Sequence, residues 1–220
     1  MPNTAWEKSF ARLYGVRGAI SKNISRLKRG GFFKHAAKTG PVLDLFCGKC
    51  ETGLGLRRIG FHRIVGIDYS AALLKAADDT LVGKVCSDAK RLPIKAQSFS
   101  AVVIQGGLHH LQNLDEIAAC LSSVRNVIRP GGVVFISEPS DTLLLRLWLF
   151  FITKTVLWKA LAYTRNWHAL HMEEKTTHER YLKNIVEVRR YLRENWTVLR
   201  HSKGLVTDLF LLRPKQGVTP

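Results

Sequence analysis

Two acidic residues stand where a nucleotide-binding sheet would use them. Asp44 lies in the apolar run Val42–Phe46, which leads into a turn at Gly48, and Asp68 ends a second apolar run, Ile64–Asp68. In such sheets the acid that ends the second strand follows the glycine turn by about 20 residues and accepts hydrogen bonds from ribose hydroxyls. The spacing from Gly48 to Asp68 therefore predicts an adenosine site.

A dinucleotide matches this turn poorly. NAD sites use the pattern G-x-G-x-x-G, because a pyrophosphate must approach the backbone and lie at a helix N-terminus. Here only Gly48 of the expected glycines is in place, Phe46 and Cys50 stand where close approach would require glycine, and Gly53 comes late. The pattern favours a ligand that carries an amino acid in place of phosphates, with Gly48 presenting an unhindered peptide plane to it.

Six motifs then follow one another along the chain in a fixed order: Val42–Gly48, Gly66–Ser70, Ser87–Ile94, Ser98–Val103, Gly107–Leu111 and Val127–Gly132. Together they resemble the class I S-adenosylmethionine-dependent methyltransferases, in particular the branch that includes quinone C-methyltransferases and many natural-product and lipid methyltransferases. The likeness is strong over about residues 40–140 and weak over the last two strands.

The alternation of apolar runs and helical patterns predicts an α/β chain. The resemblance implies a Rossmann-like, doubly wound, mostly parallel seven-stranded sheet with an antiparallel last strand. We expect a single domain over residues 1–220, with a helical N-terminal lid over 1–39 and a helical insertion after strand five over 140–182. The lid pattern predicts two short helices, Thr4–Leu13 and Ile20–Leu27.

The resemblance also assigns S-adenosyl-L-methionine as the methyl donor and a set of residues that bind it. It implies that Phe46, Gly48 and Lys49 contact the methionine end, while Asp44 orders the turn. Asp68 would bind the ribose, and Tyr69, Asp88 and Ala89 would contact the adenine. Gln105 would lie beneath the donor. For each of the three acids the alternative is a helix N-cap or a surface turn.

Histidines offer the other candidate chemistry. His109 and His110 follow strand four, where a general base could take a proton from the acceptor, or where they could merely position a loop. The insertion contains a further group: His168, His171, Glu173, Glu174 and His178. This group could bind a metal on one helical face, but we predict solvated polar surface and no metal.

Cys47 and Cys50 form a C-x-x-C pattern, which could indicate redox chemistry or half of a zinc site. No second C-x-x-C accompanies it, so we predict reduced thiols, with Cys47 a small residue in the ligand turn. The N-terminal residues lack the apolar core of a signal peptide, which leads us to expect a cytoplasmic protein.

The net charge of +17 is concentrated in the flanks. Residues 1–40, 41–140 and 141–220 carry +8, +2 and +7. An anionic lipid surface, a phosphorylated substrate or RNA could bind there, or the basic surface has no dedicated partner. The apolar segment from Leu143 to Ala162 is interrupted by Arg146, Lys154 and Lys159, so we expect either a lid over the domain or an interfacial segment and not a membrane-spanning helix.

These features lead to one preferred function and two alternatives. We expect an S-adenosylmethionine-dependent methyltransferase that acts on a small-molecule or lipid-like acceptor. We also expect that it could contact an anionic membrane peripherally. The first alternative is a tRNA or RNA methyltransferase, which the net charge would suit. The second is a non-catalytic cofactor-binding scaffold, suggested by Phe46 and Cys50 in place of glycines.

Overall fold

The computed structural model describes residues 4–77, 83–154 and 162–215, which contain one seven-stranded sheet. Its order is β3-β2-β1-β4-β5-β7-β6. The strands are β1 (Val42–Leu45), β2 (Ile64–Asp68), β3 (Gly83–Cys86), β4 (Phe99–Gln105), β5 (Ile128–Pro139), β6 (Trp196–Lys203) and β7 (Thr207–Pro214). The order and the seven strands confirm the predicted Rossmann-like fold.

Strand direction fixes where a ligand can bind. β1 pairs in parallel with β2 on one side and with β4 on the other, and β7 runs antiparallel to both of its neighbours, β5 and β6. The chain leaves β1 in one direction toward β3 and returns across β1 to reach β4, so the strand order reverses between β1 and β4. Open α/β sheets bind ligands at that reversal, outside the carboxyl ends of the strands.

The central strands are apolar on both faces because helices cover both. All four residues of β1 are buried, and Val102, Val103 and Ile104 of β4 are fully buried. One face packs against a group that includes Phe32, Phe61 and Phe135, and the other against a group that includes Trp196. Burial of this kind stabilises by about 25 cal/mol per Å² of apolar surface and makes the central strands a rigid base for the site.

Seven helices lie among the described residues: α1 (Thr4–Arg29), α2 (Glu51–Arg58), α3 (Ala71–Ala76), α4 (Leu114–Val127), α5 (Leu143–Lys154), α6 (Ala162–Lys183) and α7 (Ile185–Asn195). Side-chain caps begin three of them, including α5, where Thr142 Oγ1 accepts a hydrogen bond from the Leu145 N–H at 3.1 Å. Ser70 Oγ accepts a hydrogen bond from the Leu73 N–H at the start of α3, and Asn113 Oδ1 accepts one from the Glu116 N–H at the start of α4. Each cap satisfies a backbone donor that the helix itself leaves open.

The prediction of two short N-terminal helices is wrong, because α1 is continuous from Thr4 to Arg29. Gly15 and Gly18 lie between the two predicted helices, but each glycine costs a helix only about 1 kcal/mol, which need not end it. Packing compensates: α1 contacts both α2 and α6. A Cβ on Gly55 of α2 would lie 2.7 Å from Ile24 Cγ1, so this glycine allows the two helices to approach closely.

The insertion forms α5 and most of α6, and its part from 155 to 161 lies outside the described residues. Within the described ranges, none of the helices combines the length and the apolar character that crossing a bilayer requires. The segment Pro130–Gly132 lies inside β5, which begins at Ile128. Gly131 there has φ +79, and the pairing register with β4 shifts nearby.

Candidate active site

A cavity of about 780 Å³ opens at the carboxyl edge of β1, β2, β4 and β5. It is large enough for a drug-sized ligand. Of the residues predicted to act in binding or catalysis, Asp44 is the one that does not line it. The others do: Phe46, Gly48, Lys49, Asp68, Tyr69, Asp88, Ala89, Gln105, His109 and His110.

Asp68 links the first two strand ends. Its Oδ2 accepts a hydrogen bond from the Gly48 N–H at 2.8 Å, and its Oδ1 accepts one from the Ser70 N–H at 2.9 Å. A carboxylate can accept about four hydrogen bonds, so both oxygens keep capacity for a ligand. Tyr69 follows on the cavity wall, 79% exposed and open to stacking against a planar group.

Asp44 lies behind the turn and is only 2% exposed. Its Oδ2 accepts a hydrogen bond from the Gly53 N–H at 3.0 Å, which ties β1 to the first turn of α2. Burial raises the pKa of Asp44 to about 8, although the hydrogen bond from Gly53 opposes the shift. Asp44 therefore orders the turn from beneath and has no place on the cavity wall.

The turn itself is conformationally strained. Phe46, Gly48 and Cys50 all have positive φ, at 58°, 54° and 62°. For the two non-glycine residues this conformation costs on the order of 1–3 kcal/mol each. The Phe46 ring is accommodated by Gly107, where a Cβ would lie 2.3 Å from the ring, while the space beside Gly48 is open. Phe46 and Cys50 thus adopt the positive φ that glycine adopts without strain.

Cys47 and Cys50 are buried free thiols, with Sγ atoms 3.5 Å apart. The prediction of reduced thiols therefore agrees with the structure. A Cβ on Gly66 of β2 would lie 2.9 Å from both sulfurs, so the pair packs tightly between the turn and β2. The contact with Cys50 and burial raise the pKa of Cys47 far above its usual range. The Cys47 thiol is therefore a protonated packing group.

The floor of the cavity has buried polar atoms without a hydrogen-bond partner among the described residues. Gln105 Nε2 contacts Thr52 Oγ1 and the Asn23 carbonyl oxygen, each at 3.4 Å, while Gln105 Oε1 is buried and unpaired among the described residues. The Ser137 hydroxyl is in the same condition. Buried polar atoms in native proteins nearly always have partners, so this floor suits a polar ligand.

The part of the cavity that is predicted to bind adenine is formed by the loop that follows β3. Asp88 Oδ1 accepts a hydrogen bond from the Lys90 N–H at 2.9 Å, and Lys90 Nζ lies 2.8 Å from Glu116 Oε1. Ala89 between them is buried. The wall is completed from above by α1, which contributes Lys22, Asn23 and Arg26.

His109 forms a buried pair that the sequence analysis missed in part. Its Nδ1 lies 2.8 Å from Glu138 Oε2, and Glu138 Oε1 accepts hydrogen bonds from the N–H groups of Gly107 and Leu108, both at 2.8 Å. Burial lowers the pKa of His109, but the hydrogen bond and charge of Glu138 outweigh it and leave the pKa raised. An acid at the end of β5, at the same edge as Asp68, was the signal that could have found Glu138.

Helix α6 brings two more predicted residues to this end of the cavity. Glu174 and His178 line it, with Glu174 Oε2 3.2 Å from His178 Nε2. The ring centroids of His178 and His109 are 4.6 Å apart. The prediction of solvated polar surface is therefore wrong for Glu174 and His178, because α6 packs against the short 3-10 helix Leu108–His110. His168 is half-buried, and the side chains of His171 and Glu173 lie outside the described part of the chain.

The charges at this end are set by the neighbours. Burial lowers the pKa of His110 to about 4, and the neighbouring His109 adds to the effect. Burial alone would raise the pKa of Glu174, but the hydrogen bond to His178 and the charge of His109 bring it down to about 2. At neutral pH the cavity therefore presents a neutral His110 beside an anionic Glu174.

The protein-family comparison matches residues 43–136 to a family described as a methyltransferase domain. Two relatives are named demethylmenaquinone methyltransferase. The one from Lactiplantibacillus plantarum is 30% identical over 135 residues, which cover 56% of each chain, and the one from Mycobacterium marinum is 35% identical over 108 residues, 48% of this chain and 45% of the relative. The chain thus matches about half the length of these curated relatives.

The fold is also found among solved structures. A crystal structure from Methanococcus maripaludis, described as that of a proposed S-adenosyl-L-methionine-dependent methyltransferase, aligns with a TM-score of 0.64 at 15% identity. The alignment covers 97% of this chain and 92% of that one. At this identity the likeness supports the fold alone, and it includes the flanks that the family comparison does not reach.

The buried Asp44 predicts how stability depends on pH. Its pKa is about 8 in the folded protein and near its usual 3.8 when unfolded, so the folded state holds the proton more tightly. The contribution of Asp44 is fully present below pH 4 and is lost as pH rises toward 8. We expect Asp44→Asn, which does not titrate, to match the wild type at pH 4 and to exceed its free energy of unfolding by at least about 1.4 kcal/mol at pH 8.5, the value of one pKa unit.

Urea denaturation at both pH values measures this difference. Glu187→Gln, at an exposed position on α7, serves as the control and should leave the profile unchanged. A constant offset between wild type and Asp44→Asn at both pH values would contradict the account.

Proposed function

We propose that this chain is a class I S-adenosylmethionine-dependent methyltransferase, and that it transfers a methyl group from S-adenosyl-L-methionine to a small-molecule, quinone-like acceptor. The proposal treats residues 1–220 as one methyltransferase domain. The observation that carries it is the Asp68 carboxylate, held on the cavity wall beside the open Gly48 turn at the carboxyl ends of the first two strands.

The residues around the cavity fit this donor. Asp68 retains acceptor capacity for ribose hydroxyls, and the unpaired Gln105 Oε1 lies on the cavity floor. The exposed face of Tyr69, with Asp88 and Ala89, suits adenine. Phe46, Gly48 and Lys49 would contact the methionine end, where the cationic Arg26 of α1 also lines the wall. When bound, S-adenosylmethionine supplies an electrophilic methyl group on a sulfonium that is already a good leaving group.

Because the donor is reactive, the protein's main tasks are alignment and exclusion of water. Positioning of two reactants can lower a barrier by on the order of 7–11 kcal/mol in favourable cases. Here the strand ends would fix the donor from below, α1 covers it from one side, and α5 and α6 close the acceptor side with Leu145 and Leu182 on the wall. This arrangement would let the nucleophile of the acceptor face the methyl group.

The proton that the acceptor loses would go to His109. Its Nδ1 contacts Glu138, so Nε2 is the nitrogen available to the cavity. The Glu138 carboxylate would stabilise the imidazolium that forms, as a buried carboxylate does for a general base. His110, which stays neutral, would line the acceptor side of the same wall.

The acceptor class draws on two independent features. Relatives of this chain are named demethylmenaquinone methyltransferases, which supports a quinone-like acceptor. The apolar side chains of Leu111, Leu145, Leu182 and Val206 line the cavity near His109, which suits an apolar ring. An RNA acceptor stays a prediction that rests on the net charge, and the cytoplasmic location also stays a prediction.

Activity measurements test this function directly. With labelled donor and a hydroquinone that lacks a ring methyl group, we expect His109→Asn to lower kcat by about 10²–10⁴-fold, the usual contribution of a general base, while donor affinity changes by less than about threefold. His62→Asn, at an exposed position outside the cavity, is the matched control and should retain wild-type kcat.

Two outcomes would contradict the proposal. A kcat for His109→Asn within about threefold of the wild type would remove the general-base role. Label that enters only an RNA fraction, and neither the hydroquinone nor a lipid extract, would remove the acceptor class.

We further propose that the enzyme docks on an anionic membrane through an apolar face beside the cavity mouth. Helix α5 exposes a group of large apolar side chains: Leu143, Leu144, Leu147, Phe150 and Phe151. The loop at Leu205 and Val206 is also exposed and lies against the start of α5, where the Thr142 hydroxyl donates a hydrogen bond to the Leu205 carbonyl at 2.5 Å. Val206 continues into the cavity wall, so the face and the mouth are contiguous.

A lipid surface suits this face better than water does. Phe150 and Phe151 are 55% and 49% exposed, which is unusual for neighbouring aromatic residues on a soluble helix. Arg146 on the same helix is exposed but paired with Asp141, so the attraction to anionic lipid comes chiefly from the flanking segments, which carry most of the positive charge. Apolar side chains beside cations are the arrangement of helices that lie in a membrane interface. A lipid-like acceptor could then pass from the bilayer into the cavity.

Vesicle co-sedimentation tests the docking face. We expect the wild type to bind vesicles that contain phosphatidylglycerol, and Phe150→Glu combined with Phe151→Glu to lower the bound fraction at least about tenfold, because charged residues resist insertion. Val186→Glu, at an exposed apolar position on α7, is the control and should bind like the wild type. A wild type that ignores anionic vesicles, or a double variant that binds equally well, would contradict the proposal.

A further inference from the structure

Three side chains at the acceptor end of the cavity, the proposed base His109 among them, form a group of potential metal ligands. One potential ligand atom from each of His109, His110 and Glu174 lies within 4.8 Å of the others. Two of them come from the 3-10 helix after β4, and the third comes from α6, about 65 residues later in the sequence. Two imidazoles and one carboxylate are a donor set that divalent transition metals bind well.

A second observation points to a ligand at this place. His109 is only 4% exposed, and its Nε2 is buried with no hydrogen-bond partner in the described ranges. Its other nitrogen lies 2.8 Å from Glu138 Oε2, so the ring donates from Nδ1 and Nε2 carries the lone pair, on a residue that lines the cavity. An unpaired lone pair of this kind is costly unless something occupies it.

The surroundings of His109 repeat the arrangement found behind metal-binding histidines. Such histidines donate their second N–H to a carboxylate, which fixes the ring and raises its basicity. Glu138 does this here, and the Gly107 and Leu108 N–H groups in turn hold Glu138. The ring is therefore oriented before any ligand arrives, which lowers the entropic cost of binding.

We propose that His109, His110 and Glu174 bind one divalent transition-metal ion, of the Zn²⁺ or Co²⁺ type, at the acceptor end of the cavity. Around such an ion, ligand atoms lie about 3.3 Å apart in tetrahedral geometry, so the most distant pair must approach by about 1.5 Å. Rotation of the His110 and Glu174 side chains can supply this movement. Three protein ligands leave a coordination position open toward the cavity, as in catalytic zinc sites.

The open position gives the ion a chemical role that rests on the proposed function. It would bind a hydroxyl oxygen of the acceptor and stabilise it as an anion, since a bound divalent ion lowers the pKa of oxygen ligands. His109 Nε2 cannot accept a proton and bind an ion at the same time. The metal-free and metal-loaded enzymes therefore differ in the group that stabilises the acceptor: imidazole in the first and the ion in the second.

Titration of the full chain with Co²⁺ tests the site without donor or acceptor, with visible absorption as the readout. We expect one ion per chain with d–d bands typical of nitrogen and oxygen ligands. His109→Ala and Glu174→Ala should each lower the affinity at least about 100-fold, and Glu138→Gln by about 10–100-fold through the orientation of His109. His62→Ala, which removes an exposed histidine elsewhere, should bind like the wild type.

Circular dichroism establishes that each variant is folded, and a variant that fails to fold is replaced by Glu174→Gln or His110→Asn, which keep the side-chain shape. A wild type that binds no Co²⁺ at micromolar concentration, or a loss of affinity as large in His62→Ala as in His109→Ala, would overturn the proposal. Methyl transfer that persists in a chelator while Co²⁺ fails to bind would overturn the metal site and leave the proposed function intact.

Discussion

The hydrogen bonds that Asp68 accepts are the constraint on which the site depends. Its two oxygens hold the N–H groups of Gly48 and Ser70, so one carboxylate fixes both the turn after β1 and the start of α3. The turn is strained at Phe46 and Cys50, and a strained turn persists only where its surroundings over-determine it. Asp44 supplies the other restraint, from beneath, through the Gly53 N–H. Together the two acids shape a pocket wall before any ligand binds.

The side of the cavity that we propose binds the donor could be predicted from sequence. Parallel strands place their carboxyl ends at one edge of the sheet. Asp68, Asp88 and Gln105 each follow or end an apolar run, and all three reach the same cavity. Asp44 lies apart from these three. Its position inside β1 leaves it buried below the cavity, since residues within a strand face the helices that cover the sheet and not the edge where a ligand binds.

The acceptor side could be predicted only in part, because it is assembled from distant segments. His109 was recognised by its place after β4, but its partner Glu138 belongs to β5 and Glu174 to α6. Local periodicity cannot show that α6 folds back onto the 3-10 helix Leu108–His110; that depends on tertiary packing. The same limit explains α1, where contacts with α2 and α6 stabilise a helix across Gly15 and Gly18.

A crystal structure grown with S-adenosylhomocysteine would show whether Asp68 binds the ribose of the donor. We expect the nucleoside in the cavity at the carboxyl edge of β1 and β2, with both ribose hydroxyls about 2.6–2.9 Å from the Asp68 oxygens and adenine beside Tyr69. A ligand bound elsewhere, or a cavity without ligand at saturating concentration while Asp68 contacts only Gly48 and Ser70, would contradict this expectation.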